Sequence, residues 1–315
     1  MIGVLSLLEN FFIIVQQVFV LFLLIGVGFV CGKKKIITSA SSKQITDIVL
    51  YVVTPCVMIS AFQREFSFEL LGNILICALC AALIMIASIF ISMVVFREKE
   101  NDRKKVLQFA TVFSNCGFMS LPLQKAILGN DGWFYGSIFV AVFNIIVWTY
   151  GLVSMSGDKK QLSLKKIAFN PGVVGVLIAL VLFACQIKLP NIVIEPIEYL
   201  SNLNTPVPML IIGYYLSQAN LKRAFTDLGA YIAMGVRLVA IPLLALFVMS
   251  AFKVDPTIII TCVIASSAPT AATTTMFSAK FNRDVELSVS VVAATTVLSI
   301  ITMPIVIALS QSIAG

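Results

Sequence analysis

The chain has 315 residues, of which 59% are hydrophobic and 12% are charged, and its mean hydropathy is +1.02. A soluble domain of this length needs far more charge to cover its surface, so a soluble enzyme or binding protein is excluded. The net charge of +7 comes from short basic clusters between apolar runs. That pattern is typical of membrane topology signals, and it does not indicate a nucleic-acid partner.

The apolar runs predict an all-α membrane protein with ten membrane-spanning helices of about 20 residues each. In chain order they cover residues 11–31, 45–62, 72–96, 106–128, 133–154, 171–187, 197–217, 229–251, 257–279 and 285–309. The first run lacks a cationic leader and a small-residue cleavage site, so we interpret it as a retained helix.

Basic residues alternate between the two sets of connecting loops. Lys and Arg are frequent near residues 33–43, 97–105, 159–166, 222–223 and 280–283, whereas the other loops hold only Arg64, Lys125, Lys188 and Lys253. The positive-inside rule therefore places the basic loops in the cytoplasm and both termini outside. The seven cysteines lie in or beside apolar runs and the chain has no His, so we expect no metal centre and no cofactor.

Two sequence features each occur twice, and the separation between the two copies is similar for both features. The pattern TPxxM occurs at residues 54–58 and 205–209, and an aspartate precedes both the fifth and the tenth span, at Asp131 and Asp284. This predicts a five-helix repeat over residues 1–156, a cytoplasmic linker over 157–170 and a second repeat over 171–315. Because five is odd, the second copy is inverted, as in many carriers with alternating access.

The fourth and ninth spans contain helix-breaking residues at membrane depth. In the fourth span, Pro122 removes a helical hydrogen bond and Gly117 adds backbone freedom near Asn115. In the ninth span, Pro269 interrupts a run of small and hydroxylated residues. Taken alone, the first segment is also interpretable as a kinked helix and the second as a packing seam of small residues.

Taken together, the two broken spans predict one central site. Each second half-helix begins at its break, and its unpaired N–H groups carry partial positive charge. Two such ends favour an anion such as a carboxylate. Asn144, followed one turn later by Trp148, and Thr54 are further polar candidates for the cavity wall. Arg237, deep in the eighth span, is expected either to extend to the cytoplasmic surface or to serve as a counter-charge for the substrate.

Catalytic groups are missing from this pattern. The sequence offers no His for a triad, no phosphate-binding loop and no carboxylate pair placed for acid–base work, so we do not expect an enzyme.

Several of these segments resemble the auxin efflux carrier family, of the bile/arsenite/riboflavin transporter superfamily. They are NCGFMSLPL at residues 115–123 followed by Gly129, APTA at 268–271, SIITMP at 299–304, Asn170–Pro171 and the stretch 206–213. The resemblance implies two inverted five-helix repeats in which helices four and nine cross at their breaks. It also implies a scaffold domain from spans 1, 2, 6 and 7, a transport domain from spans 3–5 and 8–10, and elevator-type transport.

By the same resemblance, Asn115 and the Pro269–Thr270 region line the substrate site, and Asn144 falls where plant members have a polar substrate contact. Bacterial relatives are associated with malate or malonate and plant relatives with auxin. The chain lacks the long central loop and the acidic residue in span three of plant members. The candidate substrate-binding residues are Thr54, Asn115, Cys116, Gly117, Asn144, Arg237, Ala268, Pro269, Thr270 and Thr273, with Gly117, Pro122 and Pro269 as helix breaks.

The sequence therefore predicts a secondary transporter of a small organic anion in the plasma membrane, surrounded by lipid. The alternatives are a sodium-coupled symporter of the bile-acid type and a membrane sensor that does not transport. Proton or sodium coupling, the direction of transport and assembly as a homodimer stay open.

Overall fold

The structure, a computed structural model, describes residues 2–97, 100–158, 160, 169–219 and 224–314. Lys99, Lys159, Lys165, Lys166, Lys222 and Arg223 of the basic loops, and most of the predicted linker 157–170, lie outside the described residues. The main helices within the described ranges are α1 (Ile2–Lys33), α2 (Ser39–Ala61), α3 (Phe68–Val95), α4 (Asn101–Val112), α5 (Cys116–Ser156), α6 (Pro171–Ala184), α7 (Asn191–Asn202), α8 (Pro206–Gln218), α9 (Leu228–Ala251), α10 (Pro256–Ser267), α11 (Thr273–Lys280) and α12 (Val285–Ala314).

The starts of several helices are fixed by side-chain caps that the sequence encodes locally. Asn170 accepts hydrogen bonds from the backbone N–H groups at the start of α6, and Pro171 follows it. Asp255 does the same for α10, which begins with Pro256. Such caps satisfy N–H groups that have no partner within the helix. The helices therefore begin at defined residues although their interiors are apolar on most sides.

Three prolines inside helices lie just after wider, π-helical turns. The π turn Val49–Val53 precedes Pro55, Cys116–Ser120 precedes Pro122, and Val236–Ala240 precedes Pro242. A proline lacks the N–H that would bond the preceding turn, and its ring clashes there, so a wider turn relieves both problems. These helices therefore pass through their prolines without a break.

Six helices in the described part of the chain are long and apolar enough to cross a membrane. They are Ile14–Lys33, Ser39–Ala61, Phe68–Val95, Cys116–Ser156, Leu228–Ala251 and Val285–Ala314, and Pro171–Ala184 and Pro256–Ser267 are shorter apolar helices. Within α5, Gly129 has a φ of 63° and a non-helical ψ, which separates residues 116–128 from residues 130–156. An all-helical protein with several membrane-spanning helices is confirmed, whereas the ten-span inverted repeat stays a prediction.

Helices α1 and α8 pack at glycine contacts. A Cβ on Gly28 would lie 2.2 Å from the carbonyl oxygen of Leu210, and one on Gly213 would lie 2.1 Å from that of Ile25. Since both neighbours are backbone atoms, only glycine permits this separation. Close backbone approach at small residues is a common way for helices to associate in lipid, where burial of apolar surface adds little.

Two clusters of buried apolar residues form the interior. The larger one joins α2–α6 with α9–α12, and the smaller one joins α1 and α8 to the first half of α5, α10 and α12. Large apolar side chains also face outward, among them Phe19, Leu79, Phe90 and Phe247, each more than half exposed. Exposed apolar surface on this scale matches a lipid environment.

Candidate substrate site at a helix crossing

The site is built around two short non-helical segments that pair with each other. Residues 113–115 separate α4 from α5, and residues 268–272 separate α10 from α11. The segments run antiparallel, with Ser114 opposite Thr270. The backbone N–H of Asn115 donates to the carbonyl of Pro269 (2.7 Å), and that of Ala271 donates to the carbonyl of Phe113 (2.9 Å). Each break thus supplies partners for backbone groups that the other leaves unpaired.

The position of the first break differs from the prediction. Gly117 and Pro122 were expected to interrupt the fourth span, but the non-helical residues come before both of them. Gly117 lies in the π turn and Pro122 near the start of the helix that follows it. The π turn accommodates Pro122, and the break falls where the second segment provides hydrogen bonds. Pro269 does lie in the non-helical segment of the ninth span.

Thr270 fixes the two segments together through buried bonds. Its hydroxyl donates to the carbonyl of Ala110 in α4 (3.0 Å). Its backbone N–H donates to the hydroxyl of Thr295 in α12 (3.2 Å). Thr270 is 1% exposed. Its role in the structure is therefore to hold the crossing, and its hydroxyl is directed away from the cavity described below.

Arg237 caps the first halves of both broken helices. Its Nη1 donates to the carbonyls of Thr111 and Val112 at the end of α4, each at 3.0 Å, and its Nη2 donates to the carbonyl of Ser266 at the end of α10. Carbonyl groups at a helix C-terminus carry partial negative charge and lack helical partners. The expectation that Arg237 extends to the cytoplasmic surface was therefore wrong, and its role as a counter-charge for the substrate stays a prediction. It does not reach the cytoplasmic surface, and it does not line the cavity, because the helix ends are better acceptors.

The second halves of the broken helices begin beside a small cavity of about 60 Å³. Its wall is lined by Leu50, Thr54, Val57, Met58, Ser114, Asn115, Gly117, Phe118, Leu121, Val140, Phe143, Asn144, Val147, Trp148, Asn204, Ala271, Ala272, Thr273 and Met276. Most of these side chains are apolar, and the polar ones are few. This composition is typical of small-molecule sites, in which a few polar groups fix orientation.

The polar groups of the cavity differ in how they are bonded. The side-chain amides of Asn115 and Asn144 make no hydrogen bond to another described residue, and the hydroxyl of Thr273 is buried without a partner among them. By contrast, Thr54 donates to the carbonyl of Val49 (2.9 Å), and Asn204 donates to the carbonyl of Gly117 (3.0 Å). Asn115, Asn144 and Thr273 therefore keep hydrogen-bonding capacity for a ligand.

The structure brings together half of the residues predicted for the site. Thr54, Asn115, Gly117, Asn144 and Thr273 line the cavity. Five others do not line it, although they lie in or next to the crossing: Cys116, Arg237, Ala268, Pro269 and Thr270.

Ser114 and Asn204 line the cavity but were missed. The internal repeat matched Thr54 with Thr205, and the neighbouring Asn204 is the residue that reaches the cavity. A buried asparagine beside the TPxxM pattern was the available signal. Ser114 gave no signal apart from its place next to Asn115.

The electrostatics of the interior favour negative charge. Arg237 is the only charged residue among the buried residues of the described part of the chain. Among the described residues no carboxylate lines the cavity, and the same residues contain no group of three or more His, Cys, Asp or Glu that could hold a metal ion. Arg237 offsets the partial negative charge at the C-terminal ends of α4 and α10. The two positive helix N-termini beside the cavity are therefore left to attract an anion.

Ion pairs near the basic loops join α4 to α9 and to the segment before α12. Arg103 at the start of α4 forms a bidentate pair with Asp227, which also accepts a hydrogen bond from the backbone N–H of Ala230 (2.9 Å) and so caps α9. Burial alone raises the pKa of Asp227, but these hydrogen bonds outweigh it, and the pKa lies below its ordinary value. Arg283, before α12, pairs with Asp102. The transport-domain helices of the prediction are thus tied together at this end.

Comparison with known proteins agrees with this structure. The family model described as "membrane transport protein" matches residues 13–307. An uncharacterized transporter of Methanocaldococcus jannaschii is 23% identical over 297 residues, covering 90% of this chain and 94% of that protein. An uncharacterized transporter of Methanothermobacter thermautotrophicus is 21% identical over 297 residues, covering 92% of this chain and 96% of that protein. The resemblance seen in the sequence is confirmed, and the chain belongs to the membrane transport protein family, which includes the auxin efflux carriers.

Proposed function

We propose that this membrane transporter is a secondary carrier of a small organic anion, with malate and malonate as the best candidates. The observation that carries the proposal is the helix crossing, at which the N-termini of α5 and α11 both begin at one cavity. The backbone N–H groups at these ends, together with Asn115, Asn144 and Thr273, are donors suited to a carboxylate. Each helix end contributes roughly 0.3–1 kcal/mol, and up to about 2 kcal/mol when partly buried.

The size of the cavity supports a substrate with few heavy atoms. A volume of about 60 Å³ holds only a few water molecules, since one water needs roughly 10–15 Å³ on this measure. Malonate or malate fits such a space better than an aromatic acid such as auxin does. The apolar wall beside Phe118, Phe143 and Trp148 would contact the carbon chain while the carboxylate faces the helix ends.

The position of the cavity supports an elevator mechanism. In the proposed arrangement, α1, α2, α6, α7 and α8 form the scaffold, and α3–α5 and α9–α12 form the transport domain. The scaffold contributes Thr54, Met58 and Asn204 to the cavity wall, and the transport domain contributes Asn115 and Asn144. A site between the two domains becomes accessible from opposite sides when one domain moves past the other. The smaller apolar cluster, between α1, α8 and the crossing helices, would form the sliding surface.

The proposal also includes the inverted repeat and the membrane orientation expected from the sequence. Residues 1–156 and 171–315 are the two repeats, the plasma membrane is the site of action, and both termini lie outside. Sodium coupling of the bile-acid type and a sensor without transport are the rival functions. A carrier exchanges labelled substrate across the bilayer, whereas a sensor binds it and does not.

Counterflow in proteoliposomes tests the proposal. Purified protein is reconstituted into vesicles loaded with unlabelled malonate or malate, and uptake of the radiolabelled acid is followed. We expect rapid counterflow with the wild-type chain and at least a tenfold loss with Asn115→Ala, because the substrate loses a donor at the helix N-terminus. Asn202→Ala, at an exposed asparagine in α7, is the matched control. Normal counterflow by Asn115→Ala, or none by the wild type with any dicarboxylate, contradicts the proposal.

A further inference from the structure

Arg237 occupies a position with the features of a cation-binding site. Three carbonyl oxygens, those of Thr111, Val112 and Ser266, converge on its guanidinium group from the ends of two helices. The side chain is 2% exposed, and its Nε has no partner among the described residues. Its described hydrogen bonds are therefore all made to helix-terminal backbone carbonyls, and none is made to a carboxylate.

Such a set of oxygens is what a coupling ion uses in carriers built from broken helices. Unwound carbonyls and the C-terminal ends of half-helices coordinate the coupling cation in these proteins. The helix dipoles add partial negative charge at the same place. A cavity of this kind without a cation would leave three buried carbonyl groups unsatisfied, which is costly. Hydrogen-bond donors or a cation are therefore required where α4 and α10 end together, and the partial negative charge of the helix ends favours a cation.

We propose that Arg237 is a built-in replacement for a coupling cation, so that this carrier operates without sodium. The guanidinium group supplies permanently the charge that a sodium-coupled carrier obtains from solution, and the crossing stays assembled at any sodium concentration. The inference deepens the proposed function, since it concerns the coupling of the same carrier. It assigns Arg237 as a positioning residue that acts on the substrate site through the backbone segments 113–115 and 268–272.

The stability of the purified protein tests this inference without any substrate. The melting temperature is measured in NaCl, in choline chloride and in choline chloride with methylguanidinium, at one ionic strength. For the wild type we expect the same melting temperature in all three. Arg237→Ala empties the carbonyl site, so its melting temperature should be lower in choline and should rise by several degrees with sodium or methylguanidinium. Arg97→Ala, at an exposed arginine, controls for general salt effects.

Two further variants separate charge from packing. Arg237→Lys keeps a fixed cation and should show no response to sodium, whereas Arg237→Gln is neutral and should respond as the alanine variant does. A sodium-specific rise in the wild-type melting temperature overturns the inference, as does the absence of any cation response in a folded neutral variant. If neither neutral variant folds, the wild-type measurement decides. Because no transport is measured, a failure of malonate counterflow would refute the proposed function and leave this result standing.

Discussion

Substitution of Gly28 tests the close packing of α1 against α8. An alanine Cβ at this position would lie 2.2 Å from the carbonyl oxygen of Leu210 and 2.6 Å from its Cα. Real Cβ contacts are essentially never shorter than 3.0 Å, so the two helices must move apart by at least 0.8 Å. Neither atom belongs to a side chain that could rotate away. Gly26, two residues earlier in the same helix, is the matched control, because a Cβ added there would have no neighbouring atom within 4 Å.

Gly28→Ala and Gly26→Ala are expected to change stability in opposite directions. Overpacking a close contact costs typically about 1–3 kcal/mol, and here it also separates neighbouring contacts between the helices. Gly26→Ala removes backbone entropy from the unfolded chain and gains about 0.5–1 kcal/mol. Since 1 kcal/mol corresponds to roughly 2–4 °C in chains of moderate size, the two variants should differ by on the order of 5 °C.

Thermal unfolding of purified protein in detergent measures this difference, with size-exclusion chromatography to confirm that both variants are folded. We expect Gly28→Ala to melt below the wild type and Gly26→Ala to melt at or above it. A Gly28→Ala variant as stable as Gly26→Ala would refute the glycine-mediated packing of α1 on α8.

Three other predictions concern single interactions near the crossing and the loops. Thr270→Val removes the hydrogen bond to α4 and should lower the unfolding free energy by about 1–2 kcal/mol. Thr149→Val, the control, removes a hydroxyl that bonds its own helix and should lower it by less than about 0.5 kcal/mol. Equal losses would contradict the role of Thr270 in holding the crossing together. Asp227→Asn breaks the ion pair with Arg103 and weakens the cap of α9. It should therefore lower the melting temperature more than Asp131→Asn, which breaks an exposed ion pair. A larger effect of Asp131→Asn would contradict the stabilising role of Asp227. The pKa of Asp227 is lowered in the folded protein, so its contribution to stability is present above the ordinary pKa and is lost as the pH falls through the lowered pKa. The difference in stability between wild type and Asp227→Asn should therefore shrink in acid. A difference that grows in acid would contradict this prediction.

Some of this architecture is encoded locally and was predictable. Apolar runs, helix caps and the proline and glycine pattern identify the helices and single out the fourth and ninth spans as irregular. Pro269 lies in the non-helical segment of the ninth span, since proline removes a backbone donor wherever it lies. The family resemblance was visible in the sequence because the proline and glycine residues of these segments belong to the motifs that carry it.

Other features depend on partners far away in the chain and were not predictable from local sequence. The first break falls at residues 113–115, which contain neither proline nor glycine, because residues 269 and 271 offer hydrogen bonds there. The hydrogen-bond partners of Arg237 were not predicted because they are backbone carbonyls of α4 and α10, which no side-chain pattern reveals. Asn204 was missed because its place in the cavity depends on how α7 and α8 pack against α5.

An experimental structure of the protein with bound malonate, solved in lipid nanodiscs, would test the proposed anion site at the helix crossing. The measured quantity is the position of the carboxylate relative to the two helix N-termini. We expect it to lie within hydrogen-bonding distance of Asn115 or Thr273, with residues 113–115 and 268–272 non-helical and paired. Continuous helices through these residues, or malonate bound away from the crossing, would contradict the proposed site.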